Sequence, residues 1–181
     1  MKLHVSDICI GEFHITQAIL KPDGMLLPGE EYSFHVTGLP DGAEINKTNG
    51  AAPVYAVTKA RDSERPGFRK SPVLLDKILK YYGCGPEVYV RFSNPVNDSN
   101  GVLVRTRVRN LNTNKVTEYY IAPVGNELYV GHDMCSGAFA FENGAIYEVE
   151  FAFMDASGNL SEWTEKIRFS KPVKQTSHDT E

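Results

Sequence analysis

The chain is poor in residues that mark specialised chemistry. Of its 181 residues, three are cysteine (Cys9, Cys84 and Cys135) and one is tryptophan, Trp163. An odd number of cysteines at long spacings is not a disulfide framework, and no Cys-x-x-Cys pair is present to hold zinc. One bridge, between Cys84 and Cys135, is open to the chain. Nothing else establishes an oxidising compartment, so three unpaired thiols are the expectation. No apolar run approaches the ~18 residues of a membrane helix, so no membrane insertion is expected. The N-terminus, MKLHVSDICIGEF, lacks the continuous apolar stretch of about seven residues found in a signal peptide. Excess basic charge is missing too. A net charge of −4 speaks against a nucleic-acid partner, which would call for a basic face. There is no Gly-x-Ser-x-Gly, no His-Glu-x-x-His and no phosphate-binding glycine loop. The expectation is therefore no catalytic residue, no cofactor and no metal.

What is present is the patterning of an ordinary folded domain, 41% hydrophobic and 23% charged, long enough for one large domain or two small ones. Its clearest stretch is Phe141 to Phe169. Tyr147, Val149, Phe151 and Phe153 alternate with Ile146, Glu148, Glu150 and Ala152, the period of a strand with one buried face. Asp155 to Asn159 breaks the run with turn residues, and Ile167 and Phe169 resume it after Trp163. From Pro86 onward, candidate strands fall at 87–92, 101–110, 115–122, 127–131, 137–141, 145–154 and 162–169. Turn signals at Asn94-Pro95, Asn97 to Gly101, Asn112 to Lys115 and Asp155 to Asn159 separate them.

Phe141, Gly144 and Tyr147 resemble the Leu-x-Pro-Gly-x-x-Tyr corner of fibronectin type III domains, with Phe141 for the usual Leu and Asn143 for Pro. The stretch that follows is similar to the last two strands of those domains. The resemblance implies an all-β, immunoglobulin- or fibronectin-like β-sandwich over 86–171. It also implies that Tyr147 is buried, its hydroxyl bonded to backbone a few residues upstream. It implies little about function, because such sandwiches host many roles. The residues themselves leave the compartment unknown; only the fold resemblance would imply a surface or extracellular location.

Earlier in the chain, residues 12–20 fit a strand ended by the turn Lys21-Pro22-Asp23-Gly24. Leu26, Pro28, Gly29 and Tyr32 then spell the Leu-x-Pro-Gly-x-x-Tyr pattern literally. This echo is either a true repeat or a common way to open a strand. Residues 38–52 read as a loop, Val54 to Thr58 as a short strand and Arg61 to Lys70 as a charged linker. The spacing predicts one amphipathic helix over 71–82. Ser71 caps it, Pro72 takes its first position, Gly83 ends it, and Leu74, Leu75, Ile78, Leu79 and Tyr82 form its apolar stripe. Those leucines and Ile78 are expected to be buried against strands. The domain plan is thus an N-terminal β-rich unit over 1–70, incomplete by itself, a helix and connector over 71–85, the sandwich over 86–171 and a flexible tail over 172–181.

Candidate site residues are few. Arg105, Arg107 and Arg109 project from one face of one strand. They suit either an anion site or a solvated face balanced by glutamates, and the balanced face is the simpler reading. Trp163 fits core packing or, with Tyr81, Tyr82, Tyr119 and Tyr120, sugar stacking. Asp155, Ser157 and Asn159 put three oxygens in one turn, fewer than calcium needs, so a plain turn is expected. His132, Asp133, Cys135 and Cys84 supply the ingredients of a nucleophile and base without a motif to join them. Gly144 and Tyr147 are structural. The function expected is a non-enzymatic interaction or spacer module of a larger surface, secreted or virion-associated assembly, with a protein or glycan partner. The alternative is a carbohydrate-binding accessory module or a small hydrolase.

Overall fold

The structure is a computed structural model that describes residues 1–11, 15–37, 54–68, 70–96 and 102–173. All regular structure among them is β: β1 (Leu3–Ile10), β2 (Thr16–Pro22), β3 (Glu31–Ser33), β4 (Val54–Ala56), β5 (Leu74–Tyr82), β6 (Gly85–Ser93), β7 (Leu103–Asn110), β8 (Val116–Ile121), β9 (Glu127–His132), β10 (Ile146–Met154) and β11 (Ile167–Ser170). The chain divides into two compact units. The smaller holds Met1–His4 and Leu20–Asp62; the larger holds Val5–Ile19 and everything from Ser63 on.

The larger unit has two antiparallel sheets, one ordered β5-β6-β9 and the other β11-β10-β7-β8. Strict alternation makes their inner faces apolar. Val88, Val90 and Phe92 of β6 and Leu128 and Val130 of β9 face Val104 and Val108 of β7 and Tyr147, Val149, Phe151 and Phe153 of β10, all at most 2% exposed. Phe92 meets Phe151 and Phe169 edge-on at 5.4 and 5.6 Å, which joins the two sheets in one core. Burial of each such side chain is worth about 1.5–3 kcal/mol. Tyr147 behaves as the corner pattern implies. It is 1% exposed, Gly144 turns the chain at φ 74°, and the Tyr147 hydroxyl accepts from the Glu142 N–H at 2.7 Å.

The helix expected over 71–82 is not there. Leu74 to Tyr82 is strand β5, joined to β6 by a tight turn at Gly83 and Cys84 and paired with it from Leu74↔Phe92 to Tyr82↔Gly85. The i, i+1, i+4, i+5 spacing satisfies a helical stripe, but β6 offers this segment a full ladder of backbone partners, and pairing overrides local preference. The burial prediction fails with the helix. Leu74 and Leu75 are 38 and 46% exposed, because β5 lies at a sheet edge, and only Leu79 packs on the core. The strand expected over 137–141 is also absent. That segment is irregular, with a single bridge from Gly137 to His132, and Phe139 and Phe141 drop from it into the core beneath Tyr147. Residues 162–166, expected to be strand, run beside β10 without regular pairing. There Ser161 Oγ and Thr164 Oγ1 accept the N–H groups of Phe153 and Phe151 at 2.9 and 3.0 Å.

β1, which was not anticipated, pairs with β2. Its inner part belongs to the larger unit and covers the outer face of β8. Cys9 is buried, and the Gln17 amide both donates to the Tyr120 carbonyl at 2.6 Å and accepts the Tyr120 N–H at 2.7 Å. One side chain thus occupies both backbone groups of an edge residue, as a further strand would. Of the segment 12–20, residues 12–14 lie outside the described residues, and the strand runs on to Pro22. The loop 38–52, the turn at Asn97 to Gly101 and residues 174–181 of the tail lie outside them too. In the smaller unit, β3 pairs with β4, Tyr32 opposite Tyr55.

Candidate functional site

β7 is an interior strand, so its outward side chains stand between those of β8 and β10. The register sets Arg107 opposite both Glu118 and Glu150, and Arg105 opposite Tyr120 and Ala152. The pairs close accordingly. Arg107 donates to Glu118 Oε1 at 2.6 Å and to Glu150 Oε1 at 2.8 Å. Arg105 reaches Glu118 Oε2 at 2.8 Å and Asp7 at 3.6 Å. Burial works against the Arg107 charge, but its hydrogen bonds to the two glutamates outweigh that and hold its pKa above the usual value. The arginine face is thus neutralised by its neighbours and has little left to offer an anion. Arg109 is exposed and lines an open depression of about 210 Å³ with Arg107, Val116, Glu148, Val149, Glu150 and Lys166. A depression of that size is below the range of small-molecule sites.

Trp163 is not in the core. It lies on the outer face, with the Arg107 guanidinium 4.1 Å and that of Arg105 5.9 Å from its ring centre, a cation–π stack that covers one ring face. Tyr119 and Tyr120 are both buried although they point to opposite faces. Tyr119 stacks near Phe139 in the core, and the Tyr120 hydroxyl donates to Asp7 at 2.9 Å under the N-terminal hairpin. Burial, together with this bond, pushes the Tyr120 pKa up to about 12. Of the aromatics singled out for sugar stacking, Tyr81 and Tyr82, on β5, are 68 and 48% exposed.

The remaining candidates resolve into local structure. Asp155 accepts from both the backbone and the side-chain amide of Asn159, at 2.9 and 3.0 Å, which uses its carboxylate to close the turn. His132 Nδ1 faces the Asp133 carbonyl at 2.7 Å. Asp133 Oδ1 accepts from the N–H groups of Cys135 and Ser136, and these bonds lower its pKa. Cys84 lies against Met134 at 3.5 Å.

The outer edge of β5 carries no sequence motif. Among the described residues, no strand pairs with that edge. Val73, Leu74, Leu75, Tyr81 and Tyr82 are all more than a third exposed along it. The signal was present in the sequence, but reading the segment as a helix turned Leu74, Leu75 and Tyr82 inward. No protein-family model matches the chain, and no curated protein is significantly similar to it in sequence.

Proposed function

We propose that the chain is a non-enzymatic interaction module, built on a fibronectin type III-like sandwich, that docks a protein partner in a larger surface, secreted or virion-associated assembly. Support for the sandwich type comes from strand order. Counted from β5, the first, second and fifth strands form one sheet and the seventh, sixth, third and fourth the other. In the constant immunoglobulin arrangement the fourth strand sits beside the fifth; here it sits beside the third, on the opposite sheet. The buried Tyr147 corner agrees with that reading.

The observation that carries the functional part is the β5 edge. A nine-residue edge strand whose outer edge meets no partner strand among the described residues, and which exposes apolar side chains, is a template for strand addition, in which backbone hydrogen bonds supply affinity and alternate side chains specificity. Lys80, exposed on the same strand, guards it against indiscriminate pairing. A glycan platform is less well supported, because Trp163 is covered on one face by Arg107 and Tyr119 and Tyr120 are buried. The test is site-specific photo-crosslinking in the native assembly, with the probe at Leu75 or Tyr81 and a control probe at Arg109 on the other sheet. One defined protein adduct at both β5 positions and none at Arg109 is expected. Equal adducts at all three positions, or adducts confined to Arg109, would sink the proposal. No adduct anywhere would leave a spacer without a docking edge.

A further inference from the structure

Three sulfur atoms meet at one corner of the larger unit. Cys84 lies in the turn between β5 and β6, and Met134 and Cys135 follow β9. The two places are neighbours because β9 pairs with β6, His132 opposite Val88. The Cys84 thiol lies 3.5 Å from the thioether of Met134, the residue next to Cys135, and the nearness of Cys84 is the leading cause that raises the Cys135 pKa. The loop that carries Cys135 is held in place. Asp133 Oδ1 takes the Cys135 N–H at 2.8 Å and the Ser136 N–H at 2.6 Å. The turn presses on it from the other side. Gly85, at φ 147°, comes so close that a Cβ there would stand 3.3 Å from the Met134 carbonyl oxygen. Cys84 and Cys135 are both exposed, whereas Cys9 is buried.

We propose that Cys84 and Cys135 are an oxidisable pair that closes into an intramolecular disulfide, tying the β5–β6 turn to the loop after β9. The oxidant is a small-molecule disulfide of the glutathione class. One protein thiol gives up its proton, and its thiolate attacks the oxidant, forming a mixed disulfide and releasing one oxidant thiolate. The second protein thiol then gives up its proton and attacks the protein sulfur of that mixed disulfide, releasing the other. The protein loses two protons and two electrons, and the oxidant ends as two thiols. The second step is favoured because the β6–β9 pairing holds the turn of Cys84 against the loop of Cys135. The attacking species is the thiolate, so closure accelerates with rising pH.

The full chain should be treated with oxidised glutathione at about pH 8, quenched with a polymer-tagged maleimide and analysed by non-reducing gel and peptide mass spectrometry. Before oxidation, two thiols should label in the folded protein and Cys9 only after unfolding. After oxidation neither surface thiol should label, the mass should fall by two hydrogens, and one cross-linked peptide should join Cys84 to Cys135 in a monomeric chain. With Cys84→Ser, Cys135 should retain a glutathione adduct. Stable glutathione adducts on both cysteines of the unaltered chain, disulfide-linked dimers, or two thiols still free would each overturn the proposal.

Discussion

Two stretches of this chain share one pattern and end in different surroundings. Leu26 to Tyr32 runs Leu-x-Pro-Gly-x-x-Tyr, and Phe141 to Tyr147 runs Phe-x-Asn-Gly-x-x-Tyr. Both glycines take positive φ, 85° at Gly29 and 74° at Gly144. Both tyrosine hydroxyls accept a backbone N–H five residues upstream, from Leu27 at 3.1 Å and from Glu142 at 2.7 Å. There the likeness stops. Tyr147 is buried, stacked on Phe169 and edge-on to Phe139 and Phe141. Tyr32 is half-buried on a three-residue strand, and its cross-strand partner Tyr55 is 60% exposed. The corner is therefore a local device, a glycine turn latched by a phenol. Its worth to the fold depends on the core it is set into, because a hydrogen bond to a desolvated N–H is costly to lose and one open to water is not.

The largest test removes the core and keeps the motif. A fragment of residues 86–171 contains every residue of the Tyr147 corner but lacks β5 and the hairpin that covers β8. It is expected to aggregate or stay unfolded, because β6 loses its neighbour and becomes a bare edge. A cooperative, soluble fragment in circular dichroism and denaturant titration would show that the corner and six strands suffice. Next in size is the hydroxyl. Tyr147→Phe should lower the stability of the larger unit by about 1 kcal/mol or somewhat more, followed in urea through the fluorescence of Trp163. Tyr32→Phe should do no more than quicken amide exchange at Leu27. Equal losses would mean that burial does not separate the two corners.

The glycines sharpen the comparison from the other side. A Cβ at Gly29 or Gly144 meets no atom within 4 Å, so each substitution to Ala should cost only the backbone strain of positive φ, about 1 kcal/mol. The two costs should match although the tyrosines differ. A much larger loss at Gly144, read from the Trp163 unfolding curve, would mean that the core resists the turn as well. The last test, confined to alkaline pH, concerns Tyr120, a buried phenol whose partner is a carboxylate. Its folded pKa is raised from 10.0 to about 12, so its contribution to stability is complete below pH 10 and is lost as pH climbs through about 12. The unfolded chain ionises first in that window. Alkaline titration of tyrosinate absorbance should show one late-titrating group that Tyr120→Phe removes. No late group would place Tyr120 in water.

Much of the larger unit was legible because its strands obey local rules. The alternation in β7 and β10 named their inner residues correctly, and the corner at Tyr147 followed from seven positions. The arginines of β7 were legible as a ladder, but Arg107's position between Glu118 and Glu150 depends on a register with two other strands. Ser71 to Gly83 misled for a definite reason: its apolar spacing and its flanking Ser, Pro and Gly fit a capped helix as well as a strand and a hairpin turn. Trp163 was expected in the core because strand starts commonly pack there. The hydroxyls of Ser161 and Thr164 hold its segment against β10 in an irregular path that places the indole over Arg107.

By itself the sequence determined where the chain turns and which residues of a continuous strand share a face, since both follow from backbone sterics and a period of two. Tertiary structure alone decided the state of Leu74 to Tyr82, the burial of Tyr119 and Tyr120 on opposite faces of one strand, and the approach of Cys84 to the loop of Met134 and Cys135. Each depends on a neighbour far away in the chain: β6 for the ladder, Gln17 and Asp7 for Tyr120, β9 for the thiols. A strand cannot satisfy its own backbone hydrogen bonds as a helix does, so what it becomes is settled by the partner that reaches its edge.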